Sequence, residues 1–547
     1  MTVQRLEDRK ASLLDATCDA FVHDLAALTP TDATAWGIEG HDHELEDYSP
    51  AYWDAIADRH REMLADVDAF DDCTDCSDDE DDFDAVDTVT ARVLRDRLGL
   101  QLDLHHTSEY YGLLNNIASP VQTIRDTLAQ MEPGTDAVRA RLALVPRALA
   151  GYQESLSLAA GLGRVAALRQ VELLITECNN LAASGSMLDG LGVAADDITP
   201  ARRAFSELAN WLSEHLAPHA PVADAVGRER YERFSHEFVG AHVDLDEAYC
   251  WGLERLEEIK AEQASLAATL YGTGVTVGEA LARLNASPDY RVSGVENLQK
   301  WMQGRADEAI SQLGESAFVI PEQVRTIECC IDPSGTGGVF YTPPSDDFSR
   351  PGRMWWSVPA GETEFHTWQE LTTVYHEGVP GHHLQIGLAM QSPLNLWRRV
   401  ACWNSGHGEG WALYAESLMK DLGYLEDPGF RMGYLDAQRL RAARVVLDIG
   451  VHLGKKIPDG ISTWDATYAR NFLRENTAMS DASLEFELAR YLGWPGQAPS
   501  YALGQRLWQG LRDDALASGH TLADFHARAL ALGSIPMGIL REEVLQP

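Results

Sequence analysis

The chain has 547 residues and is 45% hydrophobic, enough apolar material to bury a substantial core. Its 84 acidic residues outnumber its 44 basic ones, leaving a formal net charge of −40. Such a surface repels phosphate backbones and anionic headgroups, which excludes nucleic acid and a polybasic membrane contact as partners.

The N-terminal segment MTVQRLEDRKASLLDATCDAF scatters charges where a secretory leader needs an apolar stretch, and no later segment is apolar for long enough to span a bilayer. Eight cysteines without framework spacing in so long a chain suit free thiols in a reducing compartment. The expectation is a soluble cytoplasmic protein without membrane partners. No Pro-, Gly- or Ser-rich linker divides the sequence. One continuous domain is therefore expected, with a helical lobe over 1–315 and a second lobe over 316–547 around a cleft.

In chain order, the first third is helical: Leu94, Leu98 and Leu102 recur at helical spacing, and RLALVPRALAGYQESLSLAAGL continues the pattern. The run from Asp71 to Asp84 is so acidic that it predicts a solvated loop or helix start. Cys73 and Cys76 within it form half of a metal-site pattern, and without a second pair they read as ordinary thiols. A long amphipathic helix is predicted from Asp244 to about Leu270, stopped by GlyThrGly. Past Phe318 the texture changes. FVIPEQVRTIECCID, GGVFYTPP and RMWWSVPAG are rich in β-branched and aromatic residues and punctuated by Gly and Pro, which predicts a small sheet. After Thr363 the helical pattern returns and holds to the end.

The segment FHTWQELTTVYHEGVPGHHLQIGLAM carries the chemistry. His376 stands beside Glu377, with His382 and His383 just beyond. A catalytic zinc takes three protein ligands and leaves one position open, with a carboxylate nearby to accept a proton. In an HExxH helix the two histidines are four apart and share a face. Here that fourth position is Pro380, which cannot ligate. In an unbroken helix His382 would point about 120° away from His376, and His383 would lie about 10 Å further along the axis. Pro380 lacks an N–H and its ring collides with the carbonyl of His376, while Gly381 relaxes the backbone, so the helix should bulge and loop residues out. Absorbing two residues delivers His382 as second ligand and absorbing three delivers His383. The simpler insertion favours His382. Packing around a helix break is the bland alternative for any one of these histidines. Three of them within eight residues beside a glutamate favour metal.

CWNSGHGEGWALYAESLMKDLG supplies the third candidate ligand, Glu409, with Glu416 seven residues on along the same face as a group to orient a histidine. His407 beside it is either a substrate contact or a plain loop residue.

HEGVPGHHLQ followed by EGWALYAESL resembles the bacterial domain-of-unknown-function family eight-eight-five, regarded as related to the gluzincin metallopeptidases. EGWALYAE is also similar to the NEGFA-type segment that carries the third, glutamate ligand in gluzincin aminopeptidases. The resemblance implies a mainly α, gluzincin-like metallopeptidase fold with a deep cleft and a small sheet beside the active site. It further implies a Zn2+ cofactor held by His376, one of the histidine pair and Glu409, with Glu377 as base. RAARVVLDIGVH, with Arg444, Asp448 and His452, and ELARYLGWPGQAPSYALG, with Arg490, Tyr491 and Tyr501, resemble further segments of that family.

The expected function is zinc-assisted hydrolysis of a peptide or small amide, Glu377 carrying the proton. Tyr501 and His452 are candidate oxyanion donors. Arg444 or Arg490, near Tyr491, would clamp a substrate carboxylate unless they serve Asp448 and Glu487 as ion-pair partners. The GGVFYTPP strand with Tyr341 offers an edge on which an extended peptide could pair, against a plain structural hairpin. The rivals are a zinc hydrolase of non-peptide amides or esters and a non-catalytic helical binding protein. A nucleophilic Cys402 is disfavoured by its apolar flanks.

Overall fold

The computed structural model describes residues 9–73, 83–313, 317–332, 338–345, 348–359 and 361–546. The chain is predominantly α-helical with two small β-sheets. Local chemistry sets the helix boundaries. Asp84 and Asp87 form a capping box at the start of the Ala85–His106 helix. Asp244 accepts from two backbone amides to open Leu245–Tyr271, and Gly272 closes it. Most of the acidic run that includes Cys76 lies outside the described residues, as does any pairing of Cys76 with Cys73.

The three aromatic-rich segments form one sheet. Gly352–Ser357 is its middle strand, parallel to Ile327–Asp332 and antiparallel to Val339–Thr342, which lies at an edge. A second pair, Arg291–Ser293 with Glu364–His366, had no signal in its short sequences. It matters for position, because Glu364–His366 runs straight into the helix Thr367–Glu377. The three-stranded sheet also braces that helix: the Trp356 indole donates to Glu370 at 3.2 Å.

The largest hydrophobic cluster joins Phe21 and Leu94 from the early helices to Met354 of the sheet and to Leu384, Trp411 and Trp508 of the later helices. A separate cluster, with Val121, Leu142, Val171 and Phe205, fills the bundle of early helices.

The helices Ser405–Asp421 and Ser500–Ala517 approach each other closely. A Cβ on Gly504 would lie 2.2 Å from the Gly406 carbonyl oxygen, and one on Gly410 would lie 2.5 Å from the Gly504 carbonyl carbon. These backbones meet at distances that only glycine permits. Gly504→Ala is expected to cost about 1–3 kcal/mol through overpacking, read as a lower urea midpoint at unchanged m-value. An unchanged midpoint would show that the helices can part freely.

Candidate metal centre

The helix Thr367–Glu377 stops one residue past His376, and a new helix begins at His382. The break is complete, where the sequence had suggested a bulge inside one helix. Pro380 removes a donor, and the turn over 378–381 folds so tightly that a Cβ on Gly381 would sit 1.8 Å from the His376 carbonyl oxygen. Backbone bonds from Gly381 to Tyr375 (3.0 Å) and from His383 to Gly378 (3.2 Å) close it. The Trp411 indole, reaching from the next helix, donates to the Pro380 carbonyl at 2.8 Å. That side chain belongs to the EGWALYAE segment, so the two motifs are physically tied.

The restart turns His382 inward and His383 away. His376, His382 and Glu409 each offer a ligand atom, all within 4.8 Å of one another. Glu409 Oε2 lies 3.4 Å from His376 Nε2 and 3.6 Å from His382 Nε2. Ligand atoms about 2.0–2.2 Å from a tetrahedral zinc stand roughly 3.3–3.6 Å apart, so the two observed edges fit such an ion. The imidazole rings are perpendicular, with centroids 5.0 Å apart.

Glu416 fixes the tautomer of His376. Its Oε1 accepts the His376 Nδ1–H at 2.8 Å, and its Oε2 accepts the Thr372 hydroxyl at 2.6 Å. Nε2 of His376 is thereby left to present a lone pair to an ion. Nδ1 of His382 is buried without a protein partner. Glu416→Gln is expected to weaken metal affinity about 10–100-fold without unfolding the chain, measured by competition with a chromophoric chelator. Unchanged affinity would deny Glu416 this positioning role.

The electrostatics concentrate here. Burial opposes a charged His376, but hydrogen bonds with Glu409 and Glu416 prevail and lift its pKa to about 10, so an arriving cation would displace the Nε2 proton. Burial would raise Glu409 too, yet its contacts with His376 and His382 hold it well below the usual carboxylate range. Glu377 is buried beside the cluster and raised, burial outweighing the pull of both histidines. A cluster of two imidazoles, one anionic carboxylate and an adjacent carboxyl of raised pKa is chemically suited to a divalent cation and proton transfer.

His383 is fully engaged elsewhere, donating from Nε2 to the Val324 carbonyl at 2.8 Å and accepting the Tyr341 hydroxyl at Nδ1, also 2.8 Å. Burial pushes it down to about 4, so it is neutral. Tyr341 thus spends its hydroxyl on His383. The helix bearing Glu409 begins at Ser405, so His407 is helical and not a loop residue. His407 is wholly buried in it and receives a hydrogen bond from Gln385 at 2.8 Å.

Arg444 and Arg490 converge on one carboxylate, donating to Glu487 Oε2 at 2.9 and 3.0 Å. Arg444 also donates to the Tyr491 hydroxyl at 2.6 Å, and its guanidinium lies 5.3 Å from the Tyr501 ring centroid. The Tyr501 hydroxyl is pushed up to about 12, by burial first and then by the charge of Glu409, so it keeps its proton and can donate. Neither arginine bonds to Asp448, whose Oδ2 accepts from the Tyr231 hydroxyl (2.6 Å) and the Gly496 amide (3.0 Å). His452 is fully buried and donates to the Tyr491 carbonyl at 2.9 Å. Cys402 is buried and its thiol pushed up to about 11, which leaves it inert. Sequence reasoning missed Trp411, Thr372 and Tyr231, each a partner supplied from a distant segment.

Known structures share this fold. The putative lipoprotein from Colwellia psychrerythraea superposes with a TM-score of 0.78 at 22% identity, over 97% of each chain. A putative lipoprotein of unknown function from Shewanella oneidensis gives 0.73 at 16% identity, over 98% of this chain and all of the other. A carboxypeptidase from Pyrococcus furiosus reaches only 0.42 at 10% identity, too remote to bear on fold or activity. None of the curated proteins matches the chain. The expectation of a cytoplasmic protein without membrane partners is corrected by the two lipoprotein relatives. No described helix is long and apolar enough to cross a membrane, but a lipid anchor needs no such helix, so charge and hydropathy could not exclude it. The chain belongs to the bacterial family of proteins of unknown function DUF885, whose signature matches residues 30–544.

Proposed function

We propose that the chain is a zinc-dependent hydrolase of peptide bonds with a gluzincin-like site. The observation that carries this reading is the spacing of Glu409 from His376 and from His382, which fits two edges of a tetrahedral zinc site. Zinc bound there would supply Lewis acidity to the carbonyl under attack. Glu377 takes the proton of the attacking water on its carboxylate and returns it to the leaving amine nitrogen. Its raised pKa brings it toward the range where one group can do both. The protonated Tyr501 hydroxyl, near Glu409, is our choice of donor to the developing oxyanion. His452, bonded to backbone, serves the packing of its own helix in this proposal. Arg444 and Arg490 hold Glu487 and, through it, the wall bearing Tyr491 and Tyr501. For location, the proposal follows the two lipoprotein relatives to a membrane surface.

The test is a panel of free and blocked peptides with the purified protein, before and after chelation. Cleavage should stop with the chelator and return with added zinc. Cleavage indifferent to both would remove the metal from the mechanism.

A further inference from the structure

Trp403 stands beside the metal centre, its ring centroid 6.2 Å from that of His382. The same side chain lines a cavity of about 460 Å³ that reaches into the early helices. Much of the wall is aromatic: Trp36, Tyr48, Tyr52, Trp53, Tyr110 and Trp403 all face it. Four of these rings form a continuous set, with Tyr48 and Tyr52 5.5 Å apart, Tyr52 and Trp53 4.7 Å apart, and Trp53 stacked on Tyr110 at 5.5 Å and 9°.

The charges on that wall are one-sided. Asp32 and Glu46 are its carboxylates. Glu46 is held in place by the Thr31 amide (2.9 Å) and hydroxyl (2.7 Å) and by the Tyr48 hydroxyl (3.2 Å). Asp32 is solvent-exposed on the same wall. The cationic candidates are spoken for. Arg97 gives its Nε to Asp96 at 2.8 Å and a terminal nitrogen to the Glu237 carbonyl at 2.9 Å. His105 contacts Asp54 at 2.9 Å, and burial lowers His60 to about 4.

Through Thr31, Asp32 and Thr123 the cavity adjoins a second one of about 530 Å³, whose wall adds Asp42, Asp126 and Glu132. The two cavities thus share Asp32, and Trp403 on the chamber wall lies against His382 of the metal centre. Aromatic faces and carboxylates together attract cations, and the net charge of −40 draws them toward the surface.

We propose that this chamber receives the cationic group of the substrate, the side-chain guanidinium or the N-terminal ammonium of a peptide, beside the metal centre. The assignment rests on the hydrolase reading, and it is separable from it by measuring binding apart from turnover. Calorimetry on zinc-loaded Glu377→Gln protein would compare N-acetyl-arginine amide, which carries only the guanidinium, with its neutral isostere N-acetyl-citrulline amide. Citrulline amide, which carries only the α-ammonium, is the third probe.

At least one cationic probe should bind about tenfold more tightly than N-acetyl-citrulline amide, and which one does so identifies the recognised group. Asp32→Asn should bring that ratio near one with the circular dichroism spectrum unchanged, and Tyr52→Leu should lower it. Equal binding of all three probes, or a preference that survives both substitutions, would overturn the assignment. A protein that never cleaves peptides but still discriminates in this way would sink the hydrolase reading alone.

Discussion

Replacing Glu377 with Gln is expected to lower kcat/KM by about 10²–10⁴-fold on every peptide the protein cleaves. The substitution is nearly isosteric and removes only the ability to accept and return a proton. Glu377 is buried and its carboxyl is already raised, so an amide costs little in desolvation there. Urea stability and metal content should therefore match the parent protein, which separates a lost base from a lost fold. Turnover that survives the change would mean that the proton moves through another group.

The second large effect separates two adjacent histidines. His382→Ala removes one of the three atoms that face each other at the centre, and a dialysed sample should lose its metal and its activity together. His383→Ala is expected to do the reverse. It leaves the centre intact but orphans the Tyr341 hydroxyl and the Val324 carbonyl, each now bonded to His383 at 2.8 Å. An orphaned buried partner costs about 1–3 kcal/mol, so the urea midpoint should fall while metal stays bound. If His383→Ala were the variant that loses metal, the assignment of the pair would have to be exchanged.

The mainly helical class was legible because the apolar spacing and caps are local, as in the helix Leu245–Tyr271 with Asp244 at its start. The aromatic-rich strands were legible for the same reason, although their order around Gly352–Ser357 was not. At the centre, Pro380 and Gly381 announced a distorted helix. The form of the distortion depends on Trp411, which reaches the Pro380 carbonyl from a separate helix, and no spacing rule reports such a contact. Arg444 and Asp448 share a helical face in sequence, yet the arginine turns to Glu487 and the aspartate to Tyr231. Both choices are made by neighbouring helices. The composition of the folded part would be the same with or without a lipid anchor, so it could not decide the cellular location.

Metal content is the measurement closest to the central claim. Elemental analysis of the full-length protein, stripped with chelator and reloaded with zinc, should give about one ion per chain. Glu409→Ala prepared in parallel should give almost none at the same fold stability. A parent protein that retains no zinc, or a Glu409→Ala variant that retains as much as the parent, would contradict the account.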